Sequence, residues 1–462
     1  MAIRQMRPWE LKGMRILVVG AARTGRAVAR FLSGRGAIVR LVDMAEESSF
    51  PGLRQELEPL GIGLEFGPHK EESFHWAQGI VVSPGVPLDM GLLKDALKRG
   101  CPVVGELELA SWYLKAPMVA VTGTNGKTTT TTLVGMILET WGKKVFVGGN
   151  IGNPLIQVLN SGLDPEVAVV EVSSFQLEAT ELFRPKVAAL LNLTEDHLDR
   201  HPTMEDYRRA KSRIFAMQGK GDVAVVNLDD PEALRALPPD PPMEVWGFSL
   251  DGKRGTARLK EGQMELVLGA DRHVLALQNR SLGGPHGAQN SMAAALCAWA
   301  MGCPLWAISR TLEEFKGLEH RMEKVAELEG ISFVNDSKAT NVGAAIPGIL
   351  APEGKVVWIG GGKYKGIDFK PLGEPLKNKA RAVVLLGESA ERIRNSLPKT
   401  IPVHMVKDME EAVKLAFSLA RPGDTVLLSP ACSSFDQYKN YEERGRHFKE
   451  VVLRLEKKTR AL

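Results

Sequence analysis

The chain has 462 residues, 44% hydrophobic and 25% charged, with 59 Lys plus Arg against 55 Asp plus Glu. That length predicts roughly three domains, each able to bury a core, and the interspersed, nearly balanced charge argues against a nucleic-acid patch or membrane-binding arm. No run reaches the ~20 apolar residues of a membrane span, the first residues lack a signal-peptide core, and the four cysteines show no metal spacing, so the chain reads as a soluble cytoplasmic protein.

Residues 15–20, Arg-Ile-Leu-Val-Val-Gly, have the pattern of a buried strand. A tight turn over 21–25, a helical pattern over 26–32 and a second strand over 39–43 follow. This is the layout of a dinucleotide fingerprint, with Ala22 for the middle glycine and Asp43 placed to meet a ribose hydroxyl. A βαβ unit with a tight turn and no ligand fits the same residues. Residues 79–87, Gly-Ile-Val-Val-Ser-Pro-Gly-Val-Pro, add a strand ending in a turn. The carboxyl ends of parallel strands are where such sheets bind ligands.

A second segment opens near residue 116. Between an apolar run over 117–121 and a helical pattern over 133–138 lies Gly123-Thr-Asn-Gly-Lys-Thr-Thr129. Strand, Gly-rich turn and helix N-terminus together make a phosphate cradle. The N–H groups of Gly123, Thr124, Asn125 and Gly126 converge on the anion, the helix dipole favours negative charge, and Lys127 supplies a cation. Thr128 stands where a hydroxyl joins the shell of a phosphate-bound Mg²⁺, with Thr129 beside it. The spacing departs from the common P-loop, because Val121 stands where its first glycine is expected. A Gly/Thr-rich turn with a solvated lysine is the plainer alternative; the flanking strand and helix favour ATP.

Strands over 167–172, 187–193 and 223–227 continue a parallel sheet with helical crossovers. Residues 238–277 change texture and predict a small antiparallel annex. Helical patterns around 290–301 and 306–314 close the segment before a hinge at 318–321. Glu171, at a strand's carboxyl end near the phosphate loop, is placed to hold Mg²⁺ through oxygen; an edge acid or helix cap is the alternative. His197, in the polar knot Asn192-Leu-Thr-Glu-Asp-His-Leu-Asp-Arg-His201, is a ligand candidate on the same edge. A third segment has strands over 331–335, 356–359, 382–386, 403–406 and 425–428, another open α/β sheet.

The runs Gly123–Thr129, Gly149-Asn-Ile-Gly152, Glu171-Val-Ser-Ser-Phe-Gln-Leu-Glu178 and Asp196-His-Leu-Asp-Arg200 together resemble the Mur ligases of peptidoglycan synthesis. Ser83-Pro-Gly85, Asn335-Asp-Ser-Lys-Ala-Thr-Asn341 and Leu428-Ser-Pro-Ala-Cys-Ser-Ser-Phe-Asp-Gln437 are similar to the branch that takes D-glutamate. The resemblance covers essentially the whole chain. It implies three α/β domains: a Rossmann-like domain over 1–115 for a UDP-substrate, a central P-loop-type ATP-binding domain with a parallel sheet and small antiparallel annex over 116–318, and a Rossmann-like amino-acid domain over 319–462. The implied reaction is ATP-dependent amide ligation, in which UDP-N-acetylmuramoyl-L-alanine is activated as an acyl phosphate and attacked by D-glutamate. The implied partners are these small molecules, acting on a monomer, with neither nucleic acid nor membrane.

Site residues follow from the resemblance. Lys127 and the loop hold the ATP phosphates; Thr128 and Glu171 serve one Mg²⁺; His197 and a carbamylated Lys211 serve a second. Arg208, Arg209 and Arg213 surround Lys211 and ease its deprotonation. Without the resemblance, Lys211 reads as a solvated lysine on an amphipathic helix. Asn290, Arg321 and Asp336 match the adenosine side, with Gly287 replacing the family's first asparagine. Arg23, Thr24, Asp43, Ser83, Gly85 and Asn150 match the UDP-substrate side, with Met44 and Ala45 replacing a polar pair at the uracil. Lys338, Thr340, Lys365, Ser434 and Tyr441 match the D-glutamate site, with Lys363 two residues from Lys365. The rival readings are a sister Mur ligase, a folylpolyglutamate synthase-like ligase, an NAD-dependent oxidoreductase argued from the first segment alone, and a P-loop ATPase module.

Overall fold

The computed structural model describes residues 8–460 apart from 197–199, 278, 280, 281 and 365, with side chains through 457. Continuous apolar runs become the central strands, buried on both faces as parallel sheets with helical crossovers require. The first sheet comprises β1 (Arg15–Val19), β2 (Ile38–Asp43), β3 (Gly63–Phe66), β4 (Gly79–Val82) and β5 (Val103–Gly105), of which β1 and β4 are the most buried. All are parallel, in the order β3-β2-β1-β4-β5. The strand order reverses at β1 and β4, and Gly25 lets the first helix approach closely. A Cβ there would lie 1.7 Å from the Gly20 carbonyl oxygen.

The central sheet is built on β6 (Met118–Thr122), β7 (Val145–Gly149), β8 (Val167–Glu171), β9 (Val187–Leu190), β10 (Val223–Asn227) and β11 (Glu244–Ser249), all parallel. The annex is β12 (Ala257–Lys260), β13 (Gln263–Leu268) and β14 (Asp271–Ala276), antiparallel among themselves as expected. It does not stand apart, because β12 pairs in parallel with β11 and extends one nine-stranded sheet. The third sheet comprises β15 (Glu323–Leu328), β16 (Ile331–Asn335), β17 (Val356–Gly360), β18 (Ala380–Leu385), β19 (Val403–Met405) and β20 (Thr425–Leu428). Its order is β15-β16-β20-β17-β18-β19, with only β15 antiparallel among the described pairings.

These three sheets fall into two compact units, Met1–Leu193 with Thr203–Glu314, and Thr194–Pro202 with Phe315–Leu462. The first two sheets share a unit because the helix Glu106–Tyr113 is wedged between them. Its Glu108 is fully buried and accepts from the N–H groups of Glu181, Leu182 and Phe183 at 3.0, 2.7 and 3.0 Å, and from the Trp112 indole at 2.9 Å. One apolar core runs from Ile16 and Val18 through Leu107 to Val170 and Ala188. Glu108→Ala would leave three backbone donors without their acceptor, and each buried orphan costs about 1–3 kcal/mol. The denaturation midpoint of this unit should therefore fall sharply in a urea titration, by more than the loss seen with Glu108→Gln.

In the second unit, the segment predicted as a hinge is a tight turn in which the Arg321 N–H donates to the Leu318 carbonyl at 3.2 Å. His320 is buried in the left-handed region at φ +63°. Gly445 makes room for its ring, since a Cβ there would sit 2.3 Å from His320 Nδ1.

Candidate active site

The chain leaves β6 through Gly123 and Gly126, both at positive φ, and enters the helix Lys127–Thr140. Gly126 is obligatory on two counts: its φ is +85°, and a Cβ would meet Asn290 Oδ1 at 2.3 Å. The loop is clamped from β9's end by Asn192, whose Oδ1 accepts from the Asn125 N–H at 2.8 Å and whose Nδ2 donates to the Asn125 carbonyl at 3.1 Å. The Asn192 carbonyl also accepts from the Thr124 N–H at 2.9 Å. Lys127 Nζ donates to the carbonyls of Gly123 and Thr124 at 2.8 and 2.7 Å. The first turn of this helix carries no acid of its own and no side-chain cap, so its dipole is available to an anion at the loop.

Glu171, 2% exposed at the end of β8, is held at both oxygens. Thr128 Oγ1 donates to Oε2 at 2.7 Å, and Asn150 Nδ2 donates to Oε1 at 2.8 Å. A hydroxyl and a carboxylate beside a phosphate loop are the hard oxygen donors that suit Mg²⁺, which fills its remaining positions with water and phosphate. Among the described residues no group of three or more His, Cys, Asp or Glu forms a metal cage. His197 lies outside the described residues.

Lys211, on the helix Met204–Ser212, is 1% exposed. The solvated alternative is therefore wrong. Its Nζ donates to Thr122 Oγ1 at 3.1 Å and to the Gly123 carbonyl at 3.0 Å, and lies 4.9 Å from the Tyr207 ring centre. The neighbouring arginines do not serve it as expected. Arg208 pairs with Glu205 and Glu232, Arg209 with Asp206, and Arg213 donates to the carbonyls of Leu177 and Thr180. Lys127 donates to the same Gly123 carbonyl as Lys211.

At the first sheet's switch point, Ser83 Oγ donates to the Gly20 carbonyl at 3.3 Å. Both oxygens of Asp43 accept backbone N–H groups, from Ala21 at 2.7 Å and Ala45 at 2.9 Å, so this acid braces the Gly-rich turn. Thr24 is half-buried and Gly85 exposed nearby. Arg23 donates to Asn153 Oδ1, and Asn150 lies with Glu171 rather than with Ser83. Asn290 accepts from Thr130 Oγ1 at 3.4 Å and packs on Gly126. Gly287 has no space for a side chain, because a Cβ would fall 2.0 Å from the Leu282 carbonyl oxygen.

In the second unit, the loops after β16 and β20 are stitched together. The Ala431 N–H donates to the Ala339 carbonyl at 2.9 Å, and buried Arg444 donates to Ser337 Oγ, to the Ser337 carbonyl and to the Cys432 carbonyl at 3.0, 2.8 and 3.1 Å. Lys338 Nζ meets the Tyr441 hydroxyl at 3.0 Å, with half-buried Thr340 on the same loop and buried Ser434 on the other. Lys363 is committed to Glu388 at 2.6 Å, and Lys365 lies outside the described residues. Asp336 accepts from Ser429 Oγ at 2.8 Å and the Met322 N–H at 3.2 Å. Burial pushes its carboxyl up to about 6, against the pull of the Ser429 hydroxyl, the Arg321 charge and the Met322 N–H.

That shift has a testable sign. A folded carboxyl raised from 3.8 to about 6 destabilises the fold above its folded pKa, by about 3 kcal/mol at neutral pH, and the penalty vanishes below the unfolded value. Asp336→Asn should therefore raise the melting temperature at pH 7.5 and leave it little changed at pH 3.5. Asn192, Arg444 and Ser429 were missed as site residues in the sequence. Asn192 alone carried a signal, as the first residue of the polar knot.

The chain matches the Mur ligase MurD-like N-terminal domain over residues 14–105, the Mur ligase middle domain over 121–298 and the Mur ligase glutamate ligase domain over 320–432. It is 45% identical to UDP-N-acetylmuramoylalanine–D-glutamate ligase of Geotalea uraniireducens across 97% of this chain and 99% of the relative, and 45% identical to the Geobacter sp. strain M21 protein of the same name across 96% and 98%. Among solved structures, MurF ligase from Thermotoga maritima in complex with ADP superposes with a TM-score of 0.62 at 19% identity, covering 97% of this chain and 96% of that one. A pseudomurein peptide ligase type C from Methanothermus fervidus gives 0.62 at 20% identity, covering 96% and 100%; at such identity these two speak for the fold. With near-full-length identity of this order and all three domains in sequence, the chain belongs to the Mur ligase family.

Proposed function

We propose that this chain is an ATP-dependent ligase that joins D-glutamate to UDP-N-acetylmuramoyl-L-alanine in peptidoglycan precursor synthesis. The observation that carries the reading is the 45% identity, over 97% of the chain, to a relative named for that reaction. The phosphate loop backed by Glu171 supplies its chemistry. The L-alanyl carboxylate attacks the γ-phosphorus of ATP, ADP leaves, and the acyl phosphate is then attacked by the D-glutamate amine, with phosphate as the leaving group. Two anions must meet in the first step. Lys127 and the uncapped N–H groups at the start of the helix Lys127–Thr140 hold the β- and γ-phosphates against that repulsion, whereas the Thr124 and Asn125 N–H groups, expected to face the anion, are bonded to Asn192. Mg²⁺, when bound through Thr128 and Glu171, neutralises charge that builds on the phosphate oxygens.

In this reading, His197 and a carbamylated Lys211 hold a second Mg²⁺. Asn290, Arg321 and Asp336 serve the adenosine end. Arg23, Thr24, Ser83, Gly85 and Asn150 serve the UDP-substrate, with Asp43 holding the turn. Lys338, Thr340, Lys365, Ser434 and Tyr441 receive the two D-glutamate carboxylates, which demand cations and hydroxyls in a partly dry site. The enzyme acts as a cytoplasmic monomer, and no helix among the described residues is long and apolar enough to cross a membrane. The oxidoreductase reading leaves the phosphate loop and the Glu171 carboxylate beside it unexplained.

The test is phosphate release from ATP, assayed with UDP-N-acetylmuramoyl-L-alanine and a panel of D- and L-amino acids. D-glutamate should be accepted, with L-glutamate and D-aspartate poor. Equal turnover with L-lysine or meso-diaminopimelate would overturn the assignment to this branch, and amino-acid-independent hydrolysis would point to an ATPase module.

A further inference from the structure

The segment between β7 and the helix Ile156–Ser161 is a short strap that carries Asn150, anchored by Arg23 and Glu106 in its middle and at its far end and by Glu171 of β8 at its near end. At its far end, Glu106 Oε1 accepts the Ile156 N–H at 2.6 Å. In its middle, Arg23 donates to Asn153 Oδ1. The Asn153 carbonyl in turn accepts the Gly149 N–H at 2.7 Å, which closes the strap on itself. At its near end, the Asn150 N–H donates to the Glu171 carbonyl at 2.9 Å while its Nδ2 holds Glu171 Oε1. The close fit there leaves no slack: Gly149 is at φ +99°, and a Cβ on it would lie 2.4 Å from the Glu171 carbonyl oxygen.

Glu106 is an expensive residue to keep at this place. It is 2% exposed, and its Oε2 has no hydrogen-bond partner among the described residues. Burial pushes its carboxyl up to about 7, against the pull of the Ile156 and Leu155 N–H groups. An orphaned buried carboxyl oxygen costs stability that an apolar side chain of similar size would not. Its neighbour Glu108, by contrast, has four donors and serves to join the two sheets.

We propose that Glu106 and Arg23 are positioning residues for the metal-binding carboxylate: they fix the strap 149–156 so that Asn150 holds Glu171 Oε1 and leaves Oε2 turned toward Thr128. The inference rests on the reading of Glu171 as the Mg²⁺ acid. Outer partners of this kind typically change metal affinity about 10–100-fold when removed. Glu106→Leu removes the acceptor for Ile156. Glu106→Gln keeps it, and places its amide where the orphaned oxygen was.

Mn²⁺ serves as the probe, its binding to the full chain in the presence of ADP followed by electron paramagnetic resonance, with ADP affinity measured separately in EDTA. Glu106→Leu should weaken Mn²⁺ binding about ten-fold or more with ADP affinity in EDTA unchanged, and Glu106→Gln should restore it to within about two-fold. Asn150→Ala should reproduce the loss, and the Glu106→Leu, Asn150→Ala double variant should be no worse than Asn150→Ala alone, because both act through one contact. Should Glu106→Leu fail to fold, exposed Asn153→Ala removes the Arg23 anchor instead and should weaken Mn²⁺ several-fold. Unchanged Mn²⁺ affinity in folded Glu106→Leu or Asn153→Ala, or additive losses in the double variant, overturns the strap. Glu171→Ala separates the two ideas: if it leaves Mn²⁺ binding intact, the metal reading itself fails, whereas abolished binding in Glu171→Ala with normal Glu106→Leu sinks the strap alone.

Discussion

Lys127→Ala should reduce ligation by about 10³-fold or more while leaving the fold in place. The ammonium is held by two loop carbonyls, Gly123 and Thr124, in a turn whose shape is fixed independently by Gly126 and by the Asn192 clamp. Its loss removes charge-assisted bonds worth about 1.5–3 kcal/mol each, which a unit of this size tolerates. Turnover is another matter. Negative charge moves onto the bridging and γ-phosphate oxygens as the carboxylate attacks, so the lysine's interaction is strongest in the transition state and its loss falls chiefly on kcat. Lys127→Arg should fail nearly as badly, because a planar fork does not substitute for a compact ammonium seated between two carbonyls. Steady-state phosphate release and calorimetric ADP binding distinguish the two effects. A variant within ten-fold of the parent in kcat would show that this loop does not carry the phosphoryl transfer.

The elements legible in the sequence were those that physics forces to be continuous. Buried central strands such as β1, β6, β8 and β10 are uninterrupted apolar runs because both faces meet helices. Of the strands outside the annex that escaped notice, β3, β5, β7 and β15 each lie at the edge of a sheet, while β11, expected within the antiparallel annex over 238–277, is an internal strand parallel to β10. An edge strand needs only one paired side, and Gly-Leu-Glu-Phe in β3 or Glu-Lys-Val-Ala-Glu-Leu in β15 carries no pattern that separates it from a loop. The phosphate loop was legible because glycine at 126 answers a steric demand that no other residue meets. Lys211 was not, since burial of a lysine depends on what covers its helix and leaves no trace in local spacing. Glu108 and Arg444 were invisible for the same reason. Each satisfies carbonyls or N–H groups far away in the chain, from residues 181–183 in one case and from 337 and 432 in the other.

Lys211→Ala should nearly abolish ligation, and a small carboxylic acid such as acetate or formate should restore part of it. An ammonium at this position repels Mg²⁺ and offers no lone pair, whereas a carbamate offers two oxygens to a hard cation. Carbamylation needs the neutral amine: its nitrogen attacks the carbon of CO₂, one C=O π pair becomes the carbamate's negative oxygen, and the nitrogen's proton leaves to water. Lys211 is 1% exposed, and its Nζ lies at the Gly123 carbonyl that Lys127 also contacts, which places the amine beside the phosphate loop. The three nearby arginines, each engaged with other groups, do not enter the argument. The variant should fold, because alanine is well tolerated on the helix Met204–Ser212 and removes a buried amine whose bonds to Thr122 and Gly123 are modest. Intact-protein mass is a poor test, since carbamates are lost on acidification; a crystal structure grown at high bicarbonate is a direct one. A fully active Lys211→Ala protein, or an unmodified amine under those conditions, would overturn carbamylation at this position and with it the proposal that Lys211 serves a second Mg²⁺.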